Sequence, residues 1–306
     1  MEIRITNQAP VILIDASYYV FHRYHATLKW YGFNKVQTFI SSDSEGEGEK
    51  EGEKIQKLNL PTNDTIHHAS LHTHEEFINA FKKHVVADIA KLKKKWKIAQ
   101  THNTNIIFCS DCPRSSIWRN EIYSAYKGTR VQAKTFNPNI FEIFYKMIIE
   151  LNYYELESSN LEADDIVYIT TKYLVDNKFD NDIIIITNDN DYLQILALRD
   201  RIFIHNMLAN NSDITLRSKG TPSIDLLLKV LMGDTSDNIP SIWEKVGPKT
   251  ALKLANMSEA ERNRFISSKG SECQKNYDRN VQLVSFSSIP LGLAQKYLDK
   301  YKFIIT

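Results

Sequence analysis

Three short apolar runs each end in an aspartate: VILID at Asp15, IIFCSD at Asp111 and DIIIITND at Asp189. Asp191 follows two residues after the last of these. LEADD crowds Glu162, Asp164 and Asp165 ahead of a helical stretch, and GDTSDN supplies Asp234 and Asp237. Glu162, Ile166, Ile169 and Tyr173 fall at i, i+4, i+7 and i+11, so Glu162 continues a stripe that should face the core. A carboxylate on such a stripe needs a partner. Two like charges ~4 Å apart repel by about 4 kcal/mol at an effective dielectric of ~20, so nine converging carboxylates are tolerable only with bound cations. All-oxygen donors favour hard ions such as magnesium or manganese over zinc.

Convergence requires elements that bring these residues to one edge. Continuous β-branched runs suit parallel strands covered on both faces. Helical patterns lie between them: residues 75–97 carry Phe77, Phe81, Val85, Ile89, Leu92 and Trp96 at helical spacing, and residues 139–151 and 162–175 repeat the pattern. The alternation predicts an α/β fold with a parallel central sheet flanked by helices. Ligands of such a sheet bind beyond the carboxyl ends of its strands, where Asp15, Asp111 and Asp189 stand. From about residue 216 the pattern is helical to the end. Residues 41–54, SSDSEGEGEKEGEK, are too polar to join a core and read as a flexible insertion.

The 306 residues are 42% hydrophobic and carry 38 basic against 37 acidic side chains, a net charge of +1. The balance neither demands nor excludes a polyanionic partner, and no run reaches a membrane span. Three cysteines and no visible secretory signal predict a soluble, intracellular protein. CSDC, with Cys109 and Cys112, has the layout of a redox motif, but Asp111 sits inside it at a candidate metal position. His67, His68, His72 and His74 fit no closed zinc set. WRNEIYSAYKGTR interleaves Arg119, Lys127 and Arg130 with Trp118, Tyr123 and Tyr126, a composition suited to stacking on bases beside phosphate contacts, or to an amphipathic helix. QKYLDKYKF at 295–303 fits a helix packed on the core better than a clamp-binding peptide.

In order along the chain, VILIDAS, IFCSDCPRSSIWRNEIYSAYKGTR, LEADD, IITNDNDYLQI and LMGDTSDNIPSIWEKVGPKTALKL resemble the structure-specific 5′-nucleases. That family takes in flap endonucleases, the 5′-nuclease domain of bacterial DNA polymerase I, and phage relatives. DCPRSSIWRNEIYSAYKGTR and NYDRNVQLVSFSSIP resemble the ribonuclease H subgroup of T-even-like phages. The resemblance implies a PIN-like nuclease domain over 1–215, with a flexible insertion at 41–74 and a helical arch at 112–150. It also implies a helix-hairpin-helix DNA-binding domain over 216–306.

It further implies two magnesium ions, replaceable by manganese: Asp15, Asp111, Glu162 and Asp164 for one, and Asp165, Asp189, Asp191 and Asp237 for the other, with Asp234 a peripheral member. Two such ions lower the pKa of the attacking water, clamp the phosphoryl group and stabilise the departing oxygen. By the same resemblance, Lys127 and Arg119 act on the scissile phosphate from a gateway helix. Arg114, Tyr126 and Arg130 contact nucleic acid nearby, and Gly247, Lys249 and Thr250 bind duplex phosphates. Where the family has a Gly-x-Gly hairpin this chain has Lys245-Val246-Gly247, which puts a hairpin potassium ion in question.

The implied activity is 5′→3′ exonuclease and flap cleavage, leaving a 5′-phosphate and a 3′-hydroxyl. The implied partners are DNA with 5′ flaps, nicks or RNA–DNA hybrid ends, and a single-strand-binding protein or sliding clamp; the chain is expected to be a monomer. A haloacid-dehalogenase-like phosphohydrolase would need Asp-x-Asp after the first strand, and Asp15 is followed by Ala16 and Ser17. A catalytically silent flap or nick binder is the remaining alternative.

Overall fold

The computed structural model describes residues 1–42, 71, 73–99, 101–130, 136–207 and 213–306, without the side chains of 33–42. The acidic stretch 41–54, most of the expected 41–74 insertion, and His67, His68 and His72 therefore lie outside the described residues. The chain divides into two compact units: Met1–Tyr19, Trp96–Val131 and Leu151–Thr306 in one, and Val20–Lys95 and Gln132–Glu150 in the other.

The first unit holds a parallel five-stranded sheet. Its strands are β2 (Val11–Asp15), β3 (Ile106–Cys109), β4 (Tyr154–Leu156), β5 (Ile183–Ile186) and β6 (Ile202–His205), in spatial order β4-β3-β2-β5-β6. IIFC and IIII are buried along their whole length, the burial that continuous apolar strands require. From β2 the chain winds outward to β3 and β4, then crosses to β5 and β6 on the other side. The switch point therefore lies between β2 and β5, whose carboxyl ends lead to Asp15 and Asp189, and that is where such sheets bind ligands. Helix α5 (Ala163–Asp176) packs on β2 and β3 with Ile166, Val167, Ile169 and Leu174 buried, so Glu162 does sit on the inward stripe.

One expectation changes. The last residues are not helical: β7 (Lys302–Ile305) pairs in parallel with β1 (Glu2–Ile5), Ile3 opposite Phe303 and Ile5 opposite Ile305, and these side chains join the core beside β2 and α5. Residues 216–306 group with the sheet in the first unit. They carry α6 (Pro222–Met232), α7 (Pro248–Ala255), α8 (Glu259–Ser268), α9 (Ser271–Val284) and α10 (Leu291–Lys300). Of the residues the helix reading of QKYLDKYKF sets on the core, Leu298 in α10 is half-buried and Tyr301, just past the helix, is buried, while Lys302 and Phe303 already belong to β7.

The described residues of the second unit are mostly helical. It contains α1 from Val20 onward (the helix runs Ala16–Ser42), α2 (Glu75–Trp96) up to Lys95, and α4 (Ile140–Glu150). Phe77, Phe81, Val85 and Ile89 of α2, Tyr24 and Leu28 of α1, and Phe144 and Ile148 of α4 are buried. Arg23 closes an ion pair with Asp88, and Thr27 Oγ1 lies 3.0 Å from His84 Nδ1. The expected arch over 112–150 is thus split between units, and 131–135 lie outside the described residues.

Candidate metal centre and phosphate-binding rim

A cavity of about 670 Å³ opens at the carboxyl edge of the sheet. Seven of the nine expected ligands line it: Asp15, Asp111, Glu162, Asp164, Asp189, Asp191 and Asp234. Asp15 is the last residue of β2 and is fixed on both oxygens. Oδ1 accepts from the Tyr18 amide at 3.0 Å, and Oδ2 accepts from Tyr192 Oη at 3.0 Å and Thr187 Oγ1 at 3.2 Å. Asp111 accepts from the Ala163 amide at 2.8 Å, so a carboxylate from beyond β3 sits at the positive end of α5. Asp189 accepts from the Asp191 amide at 2.9 Å, which turns the chain so that both side chains face the cavity.

Oxygens gather in two groups. Glu162, Asp164 and Asp165 each bring one within 4.8 Å of the others, and so do Asp191, Asp234 and Asp237. Burial, and next the charge of Asp111, push the Asp15 carboxyl up to about 7. Burial and Asp164 push Glu162 up to about 7 against Lys127 and Arg119, and burial and Asp189 push Asp191 up to about 7 against Lys229. Asp234 goes the other way, to about 2: burial is outweighed by Lys229 and by hydrogen bonds from the Ser236 hydroxyl and amide, each at 2.7 Å.

The loop bearing Asp234 and Asp237 depends on Gly233. Its φ is +73°, and a Cβ there would meet Ile239 O at 2.2 Å and Pro240 C at 2.6 Å. That close approach lets Asp234 and Ile239 exchange two backbone hydrogen bonds of 2.8 Å. Asn280, fully buried on α9, donates to Val230 O at 2.9 Å and Pro240 O at 2.8 Å and holds the loop against α6.

The basic segment is arranged differently from the expectation. Only Arg119–Ile122 is helical (α3), with turns to Thr129. Arg119 is 2% exposed and spends its guanidinium on protein. Nε donates to Leu283 O at 2.8 Å, Nη1 to Glu162 Oε2 at 2.9 Å and Asp165 Oδ2 at 2.8 Å, and Nη2 to Asp165 Oδ1 at 2.7 Å. Its Cζ lies 4.6 Å over the Trp118 ring. Asp165, fully buried, also accepts from Trp118 Nε1 at 2.8 Å and is not among the residues lining this cavity. Arg119 thus braces Glu162 from within the protein, and Asp165, one of whose oxygens joins the group with Glu162 and Asp164, is its counter-charge. Tyr126 is likewise buried, its hydroxyl donating to Glu162 Oε2 at 3.1 Å, so its ring is closed to a base.

Lys127 and Arg130 do line the cavity. Lys127 Nζ pairs with Glu162, and its backbone amide donates to Asp237 O at 2.8 Å. Arg130 pairs with Asp237 and donates from Nε to Ser236 O at 3.0 Å. Arg114 is exposed and caps Arg130 O at 2.9 Å, away from the cavity lining. Three cations along the wall were not foreseen: Arg217, held by Asn188 O and Oδ1 at 3.2 and 2.9 Å; Lys219; and Lys229. The clue for Lys229 was a lysine within the otherwise apolar run LLLKVLM.

Away from the cavity, Gly247 precedes α7, with open space where a Cβ would stand, and Lys249 and Thr250 are exposed in its first turn. Lys245, where the family motif has a glycine, adopts φ +61°, a left-handed backbone that a glycine takes without cost. Cys109 and Cys112 are free and buried, and burial with the charges of Glu162 and Asp111 pushes the Cys112 thiol up to about 12, the opposite of a redox-active cysteine. No helix among the described residues is long and apolar enough to cross a membrane.

Residues 64–220 match the family model described as 5′-3′ exonuclease, N-terminal resolvase-like domain. The chain is 25% identical over 239 residues to the ribonuclease H of Enterobacteria phage T4, covering 72% of this chain and 76% of that protein. It is 33% identical over 157 residues to DNA polymerase I of Lactococcus lactis, 49% of this chain but only 18% of the polymerase, so it spans less than a fifth of that relative. A mutant T5 5′-exonuclease superposes with a TM-score of 0.56 at 15% identity over 95% of this chain and 97% of that one. A bacteriophage T5 flap endonuclease in complex with DNA and metal ions gives 0.56 at 14% over the same shares. At those identities the structures speak for the fold, and the family model spans half of the sequence. The chain belongs to the 5′-3′ exonuclease and flap endonuclease superfamily of nucleases.

Proposed function

We propose that the protein is a magnesium-dependent 5′→3′ exonuclease and flap endonuclease that hydrolyses phosphodiester bonds of DNA flaps and RNA primers during replication and repair. The observation that carries this reading is the acidic cavity, with seven candidate ligands at one sheet edge and cations on its rim. The donors fit hard divalent ions, because they are all oxygen and three of the carboxyls are pushed up to about 7 by crowding and burial. Asp15, Asp111, Glu162 and Asp164 would hold one ion, and Asp189, Asp191, Asp234 and Asp237 the other; the ions would supply an ionised water and charge stabilisation at the phosphorus.

The chain's own groups do the rest. Tyr192, Thr187 and the Tyr18 amide hold Asp15 in place, and Arg119 aims Glu162. Lys127, Arg130, Arg217 and Lys219, which line the cavity, meet the phosphates of an entering strand. The first turn of α7, with Gly247, Lys249 and Thr250, suits duplex phosphates in the manner of a helix-hairpin-helix. The test is a 5′-labelled flap duplex and an RNA–DNA hybrid, each with magnesium or with EDTA. Cleavage confined to magnesium, leaving ends a ligase can join, supports the reading. Cleavage in EDTA overturns the metal dependence, and tight binding without cleavage under any divalent ion identifies a silent flap binder.

A further inference from the structure

Lys229 extends from α6 with its ammonium inside a ring of acid. Nζ pairs with Asp191, lies 2.7 Å from Asp234 Oδ2 and stands 3.9 Å from Asp237 Oδ2. Those are the same three carboxylates whose oxygens come within 4.8 Å of one another. All four side chains are at most 20% exposed, so the ammonium is enclosed with its counter-charges rather than solvated among them. A lysine is suited to leave such a place: its charge is compact, it sits on a flexible four-carbon stem, and it has no planar fork tying it to particular oxygens. It also lines the cavity, so a displaced ammonium has open space to enter.

We propose that Lys229 is a resident counter-cation that competes with a divalent ion for Asp191, Asp234 and Asp237, and so lowers the ion affinity of this cluster. The inference rests on the metal-dependent reading above and adds to it a competition internal to the chain. While the ammonium is in place it offsets part of the carboxylates' charge and holds the loop at Asp234 to α6. An entering ion must displace it, so the observed affinity is the intrinsic affinity reduced by the fraction of molecules in which Lys229 has already left.

The experiment has two arms on the full chain. In the first, manganese is titrated into wild type, Lys229→Met and Lys229→Gln, with free ion read by electron paramagnetic resonance and folding by circular dichroism. Competition predicts that one class of site tightens by about tenfold or more in both variants. A purely structural lysine predicts the reverse, weaker binding. In the second arm, wild type is acetylated by an amine-reactive ester with and without magnesium, and mass spectrometry reads each lysine. Labelling of Lys229 should rise several-fold with magnesium while that of the exposed Lys178 stays constant. Unchanged or weaker manganese binding in folded variants overturns the proposal. Should neither variant fold, the acetylation arm decides alone, and labelling of Lys229 indifferent to magnesium overturns it. Absence of ion binding in wild type removes the metal reading and this inference together.

Discussion

Arg119 closes a two-point ion pair with Asp165 at 2.7 and 2.8 Å, both side chains buried, and the same guanidinium reaches Glu162 at the cavity edge. Removing one partner of such a pair strands the other charge, at about 3–5 kcal/mol. Arg119→Ala and Asp165→Asn should each lower the thermal midpoint by roughly 10 °C. The double variant Arg119→Leu/Asp165→Leu should lose much less than the sum of the two single changes. Calorimetry on the four proteins checks this; single variants as stable as wild type would show that the pair does not hold α3 to α5.

Gly233→Ala should lose at least about 2 kcal/mol and most activity together, because the added methyl runs into Ile239 O and Pro240 and the backbone sits at φ +73°. Urea denaturation and a flap assay measure both. An alanine variant with wild-type stability and cleavage would mean that the Asp234–Asp237 loop tolerates a different path.

Metal-free protein should become less stable as pH rises through 7. Burial lifts Asp15 and Asp191 from an ordinary 3.8 to about 7, so between those values the folded state keeps protons that the unfolded chain releases. Stability is therefore fullest at the acid end of that window and falls as pH rises through it. Urea midpoints in EDTA should drop from pH 5 to pH 8, and magnesium should restore them most at pH 8. Stability that climbs with pH in EDTA contradicts these assignments.

Lys127→Ala should cost ~100-fold in single-turnover cleavage with duplex affinity nearly intact, since Lys127 lines the cavity where charge develops. Lys249→Ala should do the opposite, weakening binding on every sequence and reducing the salt slope by about one. Binding titrations at several salt concentrations, beside rapid-quench cleavage, distinguish them. A purely affinity-based loss at Lys127 would make it a docking residue.

Asp15, Asp111 and Asp189 were legible because each closes or closely follows an apolar strand, and a parallel sheet puts all such ends on one edge. Glu162 was legible from its place on a buried stripe. The enclosure of Arg119 and Tyr126 was not legible, because cations interleaved with aromatics look alike whether the rings stack on bases or enclose a guanidinium. What decides between those two is tertiary: the carbonyl of Leu283, far along the chain, and the carboxylate of Asp165. Nor does the order LEADD say which carboxylate turns inward to a cation. β7 was hidden because a four-residue strand acquires meaning only from β1, at the other end of the sequence.

The most direct test of the central claim is single-turnover cleavage of a 5′-labelled flap in magnesium by Asp15→Asn and Asp164→Asn, with flap affinity measured on the same preparations. Both residues line the cavity, and the account gives them metal and no nucleic acid to hold. It predicts that both variants stay folded, bind the flap within several-fold of wild type and do not cut it. Near-wild-type magnesium-dependent cleavage by both variants would contradict the assignment of this cavity as the metal centre.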